Sequence, residues 1–107
     1  MHYNEKVKEI FNLIFEDADP KINIKIWDGT IIKMTDSPKF TLIFNSKKAF
    51  KRFFFKNDAF NIGKAYIDKD IDVEGDIYEA IKFADSLSNI KIPFLKKIFI
   101  LLKVVFL

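Results

Sequence analysis

The chain has no cysteine, one histidine and three glycines among 107 residues. Without a thiol there can be no disulfide framework, no thiolate metal site and no cysteine nucleophile. The one histidine, His2, stands next to the N-terminus, where a general base is hard to hold in place. Gly29, Gly63 and Gly75 are dispersed, so no glycine-rich loop brings backbone amides close to a phosphate. No residue of this chain is therefore assigned a catalytic role, and none a metal.

Long apolar runs are also missing. The most apolar segment, IPFLKKIFILLKVVFL, has 16 residues interrupted by Lys96, Lys97 and Lys103, short of the roughly 20 that a spanning helix needs. The opening MHYNEKVKEIF lacks the basic stretch and apolar run of a secretory signal. Together these absences predict a cytoplasmic protein, at most peripheral at the inner face of the membrane.

What the chain does have is core material. Half of its residues are apolar and 13 are phenylalanine, far from the composition of a disordered chain. Residues 1–107 are read as one domain, with 91–107 as a C-terminal helix or interdomain linker. The net charge of +3 is unevenly spread. Lys47 to Lys56 carries five positive charges and no acid, Lys64 to Glu79 nets −4, and Lys91 to Leu107 returns to +4. A basic face beside apolar residues suits an anionic membrane or an acidic partner.

Periodicity gives the elements. Val7, Ile10, Phe11 and Ile14 recur at helical spacing, with Asn4 as a candidate cap and Asp19-Pro20 as the stop. Lys21 to Trp27 alternates Ile22, Ile24 and Ile26 with Lys21, Asn23 and Lys25, the pattern of a half-buried strand. Asp28-Gly29 predicts a two-residue type I′ hairpin leading to a strand through Ile31 and Ile32. A third strand follows with Phe40, Leu42 and Phe44 on one face, completing an antiparallel meander. Ser46 is placed to cap a helix with Ala49, Phe50, Phe53 and Phe54 inside and Lys47, Lys48, Lys51 and Arg52 outside. Phe55 falls off the buried stripe.

From Phe60 to Val73 the alternation reads mostly as strand, broken by a turn near Lys69. Asp76 and Glu79 have the spacing of a capping box before a helix that buries Ile77, Ala80, Ile81 and Ala84. A loop at Ser86 to Asn89 and the Ile92-Pro93 pair precede the apolar C-terminal segment. The expected fold is α+β: an antiparallel sheet of about five strands packed with helices, ending in an apolar helix.

Three patterns invite a chemical reading. Asp70, Asp72, Glu74 and Gly75 match the start of a calcium-binding loop, but position 12 is Ile81 rather than the bidentate carboxylate that closes the site. These acids fit the solvent face of a strand and a helix cap. The basic stretch with Phe50, Phe53 and Phe54 could stack nucleic-acid bases, yet that spacing is a buried stripe, and no nucleic-acid partner is expected. In the C-terminal segment Lys96, Lys97 and Lys103 share a sector with Ile100, Val104 and Leu107, so the apolar surface runs nearly all round. It is either a helix buried against this or a neighbouring domain, or an interfacial membrane helix with snorkelling lysines.

One stretch carries a family resemblance. Gly63, Ala65, Tyr66 and Asp68, followed by Asp72, Val73, Glu74, Gly75 and Asp76, resemble the motif of the N-terminal domain of cyclopropane-fatty-acyl-phospholipid synthases. The Trp27-Asp28-Gly29 hairpin, the Phe40 to Phe44 strand and the basic helix precede it in the matching order. Lys64 replaces a frequent Glu, and Lys69 a frequent Gly, so Lys69 must take a costlier conformation or the turn must change shape. The resemblance implies a sterol-carrier-protein-like fold and a non-catalytic role holding phospholipid or a bilayer surface. The S-adenosylmethionine-binding methyltransferase domain that follows it in that family is absent from this chain.

The expected function is thus an accessory lipid-engagement domain. Lys47, Lys48, Lys51 and Arg52, with Lys96, Lys97 and Lys103, would attract anionic headgroups, while Phe94, Phe99 and Phe106 reach the acyl boundary. Two alternatives stand beside it: a module that docks a separate methyltransferase or its own copy as a homodimer, and a free-standing carrier that encloses one lipid.

Overall fold

Isoleucine alternation places Ile22, Ile24 and Ile26 on one side of the first strand, and all three are buried. The structure, a computed structural model, describes residues 3–15, 21–55, 59–87 and 94–107. Its elements are α1 (Tyr3–Ile14), β1 (Ile22–Lys25), β2 (Ile31–Ile32), β3 (Phe40–Phe44), α2 (Lys47–Phe55), α3 (Ala59–Ile67), β4 (Ile71–Gly75), α4 (Ile77–Leu87) and α5 (Phe94–Val105). The class is α+β as expected. The sheet differs from expectation: among the described residues it has four strands rather than five, in the order β2-β1-β3-β4, and it is mixed rather than antiparallel.

The difference lies in the third strand. β3 does not follow β2 as a meander; it runs parallel to β1 on that strand's other side, with Ile24 opposite Leu42. Asn23 explains the crossover. Its side-chain oxygen accepts hydrogen bonds from Met34 N at 2.8 Å and Thr35 N at 3.0 Å, fastening the segment after β2 to the start of β1. Lys39 N then donates to Lys21 O at 2.7 Å, which sets β3 in register. Asn23 is buried, although its place in the alternation suggested a solvent position. A short polar side chain satisfying two backbone donors outweighs the period.

The hairpin also takes another form. Gly29 has φ +88°, and Asp28 does not share the left-handed region, so this is not a type I′ turn. Gly29 N donates to Ile26 O, and Ile26 N to Thr30 O, giving a three-residue loop that ends in a left-handed glycine. Hydrogen bonds from the Thr30 side chain and backbone hold the exposed Asp28 carboxyl below its ordinary value.

One face of the sheet carries Ile24, Ile32, Leu42, Phe44, Ile71 and their neighbours in the core. Its other face shows Lys25, Ile31, Asp72 and Glu74. Helices cover the first face. Phe44 meets Phe11 of α1 and both Phe50 and Phe53 of α2, at ring separations of 6.4, 5.0 and 5.2 Å. α2 begins as expected, with Ala49 N donating to Ser46 Oγ at 3.0 Å. Phe55 is exposed, also as expected.

Three further readings need correction. Residues 59–67 form a helix, not a strand, because the apparent alternation joins Ile67 at a helix end to Ile71 in the next strand. Asn4, read as the residue ahead of the first helix, is already the second residue of α1. Ser86 and Leu87, read as loop, are the last residues of α4, and the rest of that loop, the Asp19-Pro20 stop and the Ile92-Pro93 pair lie outside the described residues.

Replacing Asn23 with Ala strands two backbone N–H groups and should lower the unfolding free energy by about 2 kcal/mol. Urea denaturation measures this; an unchanged midpoint would contradict the role given to that side chain.

Candidate functional site

The Asn61 to Asp76 stretch builds one end of the domain. At its centre Lys69 adopts φ +63°, the only non-glycine residue in the left-handed region among those described. Of the two outcomes open at this position, lysine takes the costlier conformation. It is bound from two sides: Asp70 N donates to Ala65 O, Asn45 N to Asp70 O, and Asn45 Nδ2 to Lys69 O at 2.6 Å. Arg52 of α2 adds a half-buried ion pair to Asp70 at 3.1 Å. These bonds fix where α3 ends and β4 begins.

The other motif residues have separate tasks. Asp68 pairs with Lys64 one helical turn back at 3.2 Å. Asp72 and Glu74 are exposed on the open face of the sheet. Gly75 has φ +109°, and a Cβ there would lie 2.9 Å from Lys39 O and 3.0 Å from Phe40 Cα, so only glycine fits without backbone movement. Asp76 caps α4, its Oδ1 accepting from Tyr78 N at 3.0 Å and Glu79 N at 3.3 Å. The reciprocal half of the capping box is not made. Asp76 N donates to Lys39 O, and the Glu79 carboxylate faces Lys39 and Lys82 instead. Asp70 and Asp76 are thus engaged with different partners, and among the described residues no group of three metal-ligating side chains converges.

Between α3, α4 and the sheet lies a half-open cavity of about 540 Å³, within the ~300–1,000 Å³ range of small-molecule sites. Leu42, Ile71 and Val73 form its floor, Phe53, Ile62 and Gly63 one wall, and Ala80, Ile81 and Ala84 the other. The helix after Asp76 was expected to bury Ile77 and Ile81; they are 40% and 59% exposed because they line this space rather than fill it. Ala80 is buried and Ala84 half-buried as expected.

Gly63 and Tyr66 of the motif also line the cavity. Gly63 sits mid-helix, where glycine costs roughly 0.5–1 kcal/mol relative to alanine. Neither backbone nor packing requires it: its φ is not left-handed, and a Cβ would meet nothing within 4 Å. Periodicity alone missed the cavity, and this unforced glycine is the one sequence signal that pointed to it.

The second feature is α5. Ile100, Val104 and Leu107 are buried where the helix packs on α1 and α2. On its far side Leu95, Phe99, Leu102 and Phe106 are 80%, 53%, 50% and 78% exposed, forming an apolar ridge. Of the cations expected to meet lipid, Lys48 and Lys97 are exposed and Lys47 and Lys96 half-buried. Lys51 donates to Val105 O at the α5 C-terminus, 3.0 Å away, where a cation complements the helix dipole. Lys103 pairs with Glu9 of α1 at 2.7 Å and lies 4.8 Å over the Phe99 ring. Phe94 opens α5, and its side chain is outside the described set.

Fold and site together define a two-layer α+β domain with an apolar cavity and an exposed apolar helix face. The chain belongs to the family described as a domain of unknown function, DUF7884, which matches residues 3–97. That match contains every residue of the cavity and ends in the first turn of α5. No curated protein matches the chain significantly.

Two substitutions separate strain from fit in the motif. Lys69→Gly removes the left-handed penalty and should raise stability by about 0.5–1 kcal/mol. Gly75→Ala forces a Cβ against backbone and should lower it by about 1–3 kcal/mol or more. Thermal denaturation reads both, and shifts of the same sign would contradict the geometry.

Proposed function

We propose that this chain is a non-catalytic domain that engages phospholipid at a membrane surface, of the kind that precedes the methyltransferase domain in cyclopropane-fatty-acyl-phospholipid synthases. The observation that carries the reading is the outer face of α5. A helix already packed by one apolar face has no structural use for a second, and each square ångström left in water forgoes about 25 cal/mol. Among the described residues no helix is long and apolar enough to cross a membrane. At 12 residues α5 spans about 18 Å, against a ~30 Å hydrocarbon core. Lying in the interface is the geometry that suits it.

The lysines fit the same reading. Lys103 lies over the Phe99 ring at the edge of the ridge, Lys96 and Lys97 stand in the first turn of α5, and α2, with Lys47, Lys48 and Lys51, packs beside α5. The Lys103–Glu9 pair is no obstacle, since a surface ion pair contributes only about 0–1 kcal/mol and a phosphate can replace the carboxylate, while Arg52 stays in its half-buried pair with Asp70. Each cation near an anionic surface contributes about 1 kcal/mol, falling with salt. The one-sided helical cover of the sheet is compatible with the sterol-carrier-like fold that the resemblance implies. S-adenosylmethionine chemistry, on this reading, belongs to a methyltransferase domain supplied in cis or in trans. A cytoplasmic position, peripheral at the inner membrane face, is part of the proposal.

Co-sedimentation with vesicles of phosphatidylglycerol and phosphatidylcholine across a salt series tests it. Binding should be strong at low salt, fall as salt rises, and drop at least tenfold in the Phe99→Ser, Phe106→Ser double variant. No binding to anionic vesicles at low salt would sink the proposal, and concentration-dependent self-association of the lipid-free protein would then favour a protein-docking role for the same ridge.

A further inference from the structure

We infer that the cavity between α3, α4 and the sheet is a binding site for one fatty acyl chain, and that Gly63 is the residue that keeps it open. The inference does not depend on α5, which lies on the other helices. It starts from the chemistry of the wall. Leu42, Phe53, Ile62, Ile71 and Val73 offer only carbon to the interior, and the polar side chains of the lining, Tyr66, Lys82 and Asp85, are exposed. A sugar, nucleotide or peptide placed inside would lose its water and find no hydrogen-bond partner in exchange, a cost that excludes it. Hydrocarbon suffers no such loss. A ligand with an apolar body and one polar end can lie with the body on Leu42 and Ile71 and the end at the mouth beside Tyr66 and Lys82.

The small residues show why the space exists. Gly63 on α3 and Ala80 and Ala84 on α4 all belong to the cavity lining. A leucine at position 63 would meet no protein atom at its Cβ, so that position could be filled without disturbing the fold. Glycine there leaves room in a space of about 540 Å³, and the ligand takes the place of the missing side chain. Gly63 on this account determines what the site admits.

Titration with cis-parinaric acid, a naturally fluorescent fatty acid, tests the site in the full chain. The wild-type protein should give a saturable rise in fluorescence at one probe per chain, reversed by a competitor with a single acyl chain. Displacement by oleic acid assigns the site to free fatty acid, and displacement by lysophosphatidylcholine to a phospholipid chain; displacement by neither overturns the inference. Gly63→Leu should weaken the probe at least tenfold while its melting temperature stays equal or rises and its binding to anionic vesicles is unchanged. If that variant fails to fold by circular dichroism, Ile81→Asp, at a position already 59% exposed, serves instead. Wild-type affinity for the probe in the folded variant would overturn the inference. Loss of vesicle binding with probe binding intact would count against the surface role of α5 alone.

Discussion

Phe44 joins the parts of this domain. It sits at the end of the central strand pair with no exposed surface, and its ring meets Phe11, Phe50 and Phe53, so one side chain ties the sheet to two helices. Aromatic pairs of this kind add about 0.5–1.5 kcal/mol each beyond their buried area. Once α1 and α2 are set, α5 has a surface to lie on, which it covers with Ile100, Val104 and Leu107. α2 in turn directs Arg52 to Asp70, at the turn between α3 and β4. The phenylalanine cluster thus positions the polar clamp, and the clamp positions the cavity.

The core ends where those rings end. Around Phe44 the space between sheet and helices is filled; toward β4 an apolar space opens whose lining includes the small residues Gly63, Ala80 and Ala84. Protein interiors are ordinarily packed as densely as organic crystals, so an apolar space of this size within reach of solvent is a departure that calls for an occupant. The exposed ridge of α5 is a departure of the opposite sign, apolar surface with nothing over it. On the proposed reading lipid satisfies both, the one by a chain entering the protein and the other by the protein resting on a bilayer.

Local patterns carried much of this to the sequence reader. The isoleucine alternation, the Ser46 cap, the Phe50 and Phe53 stripe, the turn near Lys69 and the Asp76 cap all depend on neighbours a few residues apart, and the structure contains each of them. The parallel pairing of β1 with β3 was not legible, because it rests on Asn23 reaching residues 11 and 12 positions away. Residues 59–67 looked like strand because a two-residue period was read across a helix end. The cavity was hidden for another reason: spacing tells which side of a helix faces inward, not whether the space it faces is filled. Ile77 and Ile81 face inward and remain exposed.

The central claim is that the outer face of α5 meets lipid while the open face of the sheet does not. The absence of cysteine makes this directly measurable, since one introduced thiol can be labelled with an environment-sensitive dye without competition. Phe106→Cys places the dye on the ridge and Asp72→Cys places it on the sheet. On addition of phosphatidylglycerol vesicles the account predicts a blue-shifted, brighter emission at position 106 and an unchanged spectrum at 72. Equal shifts at both positions, or a shift at 72 alone, would contradict it.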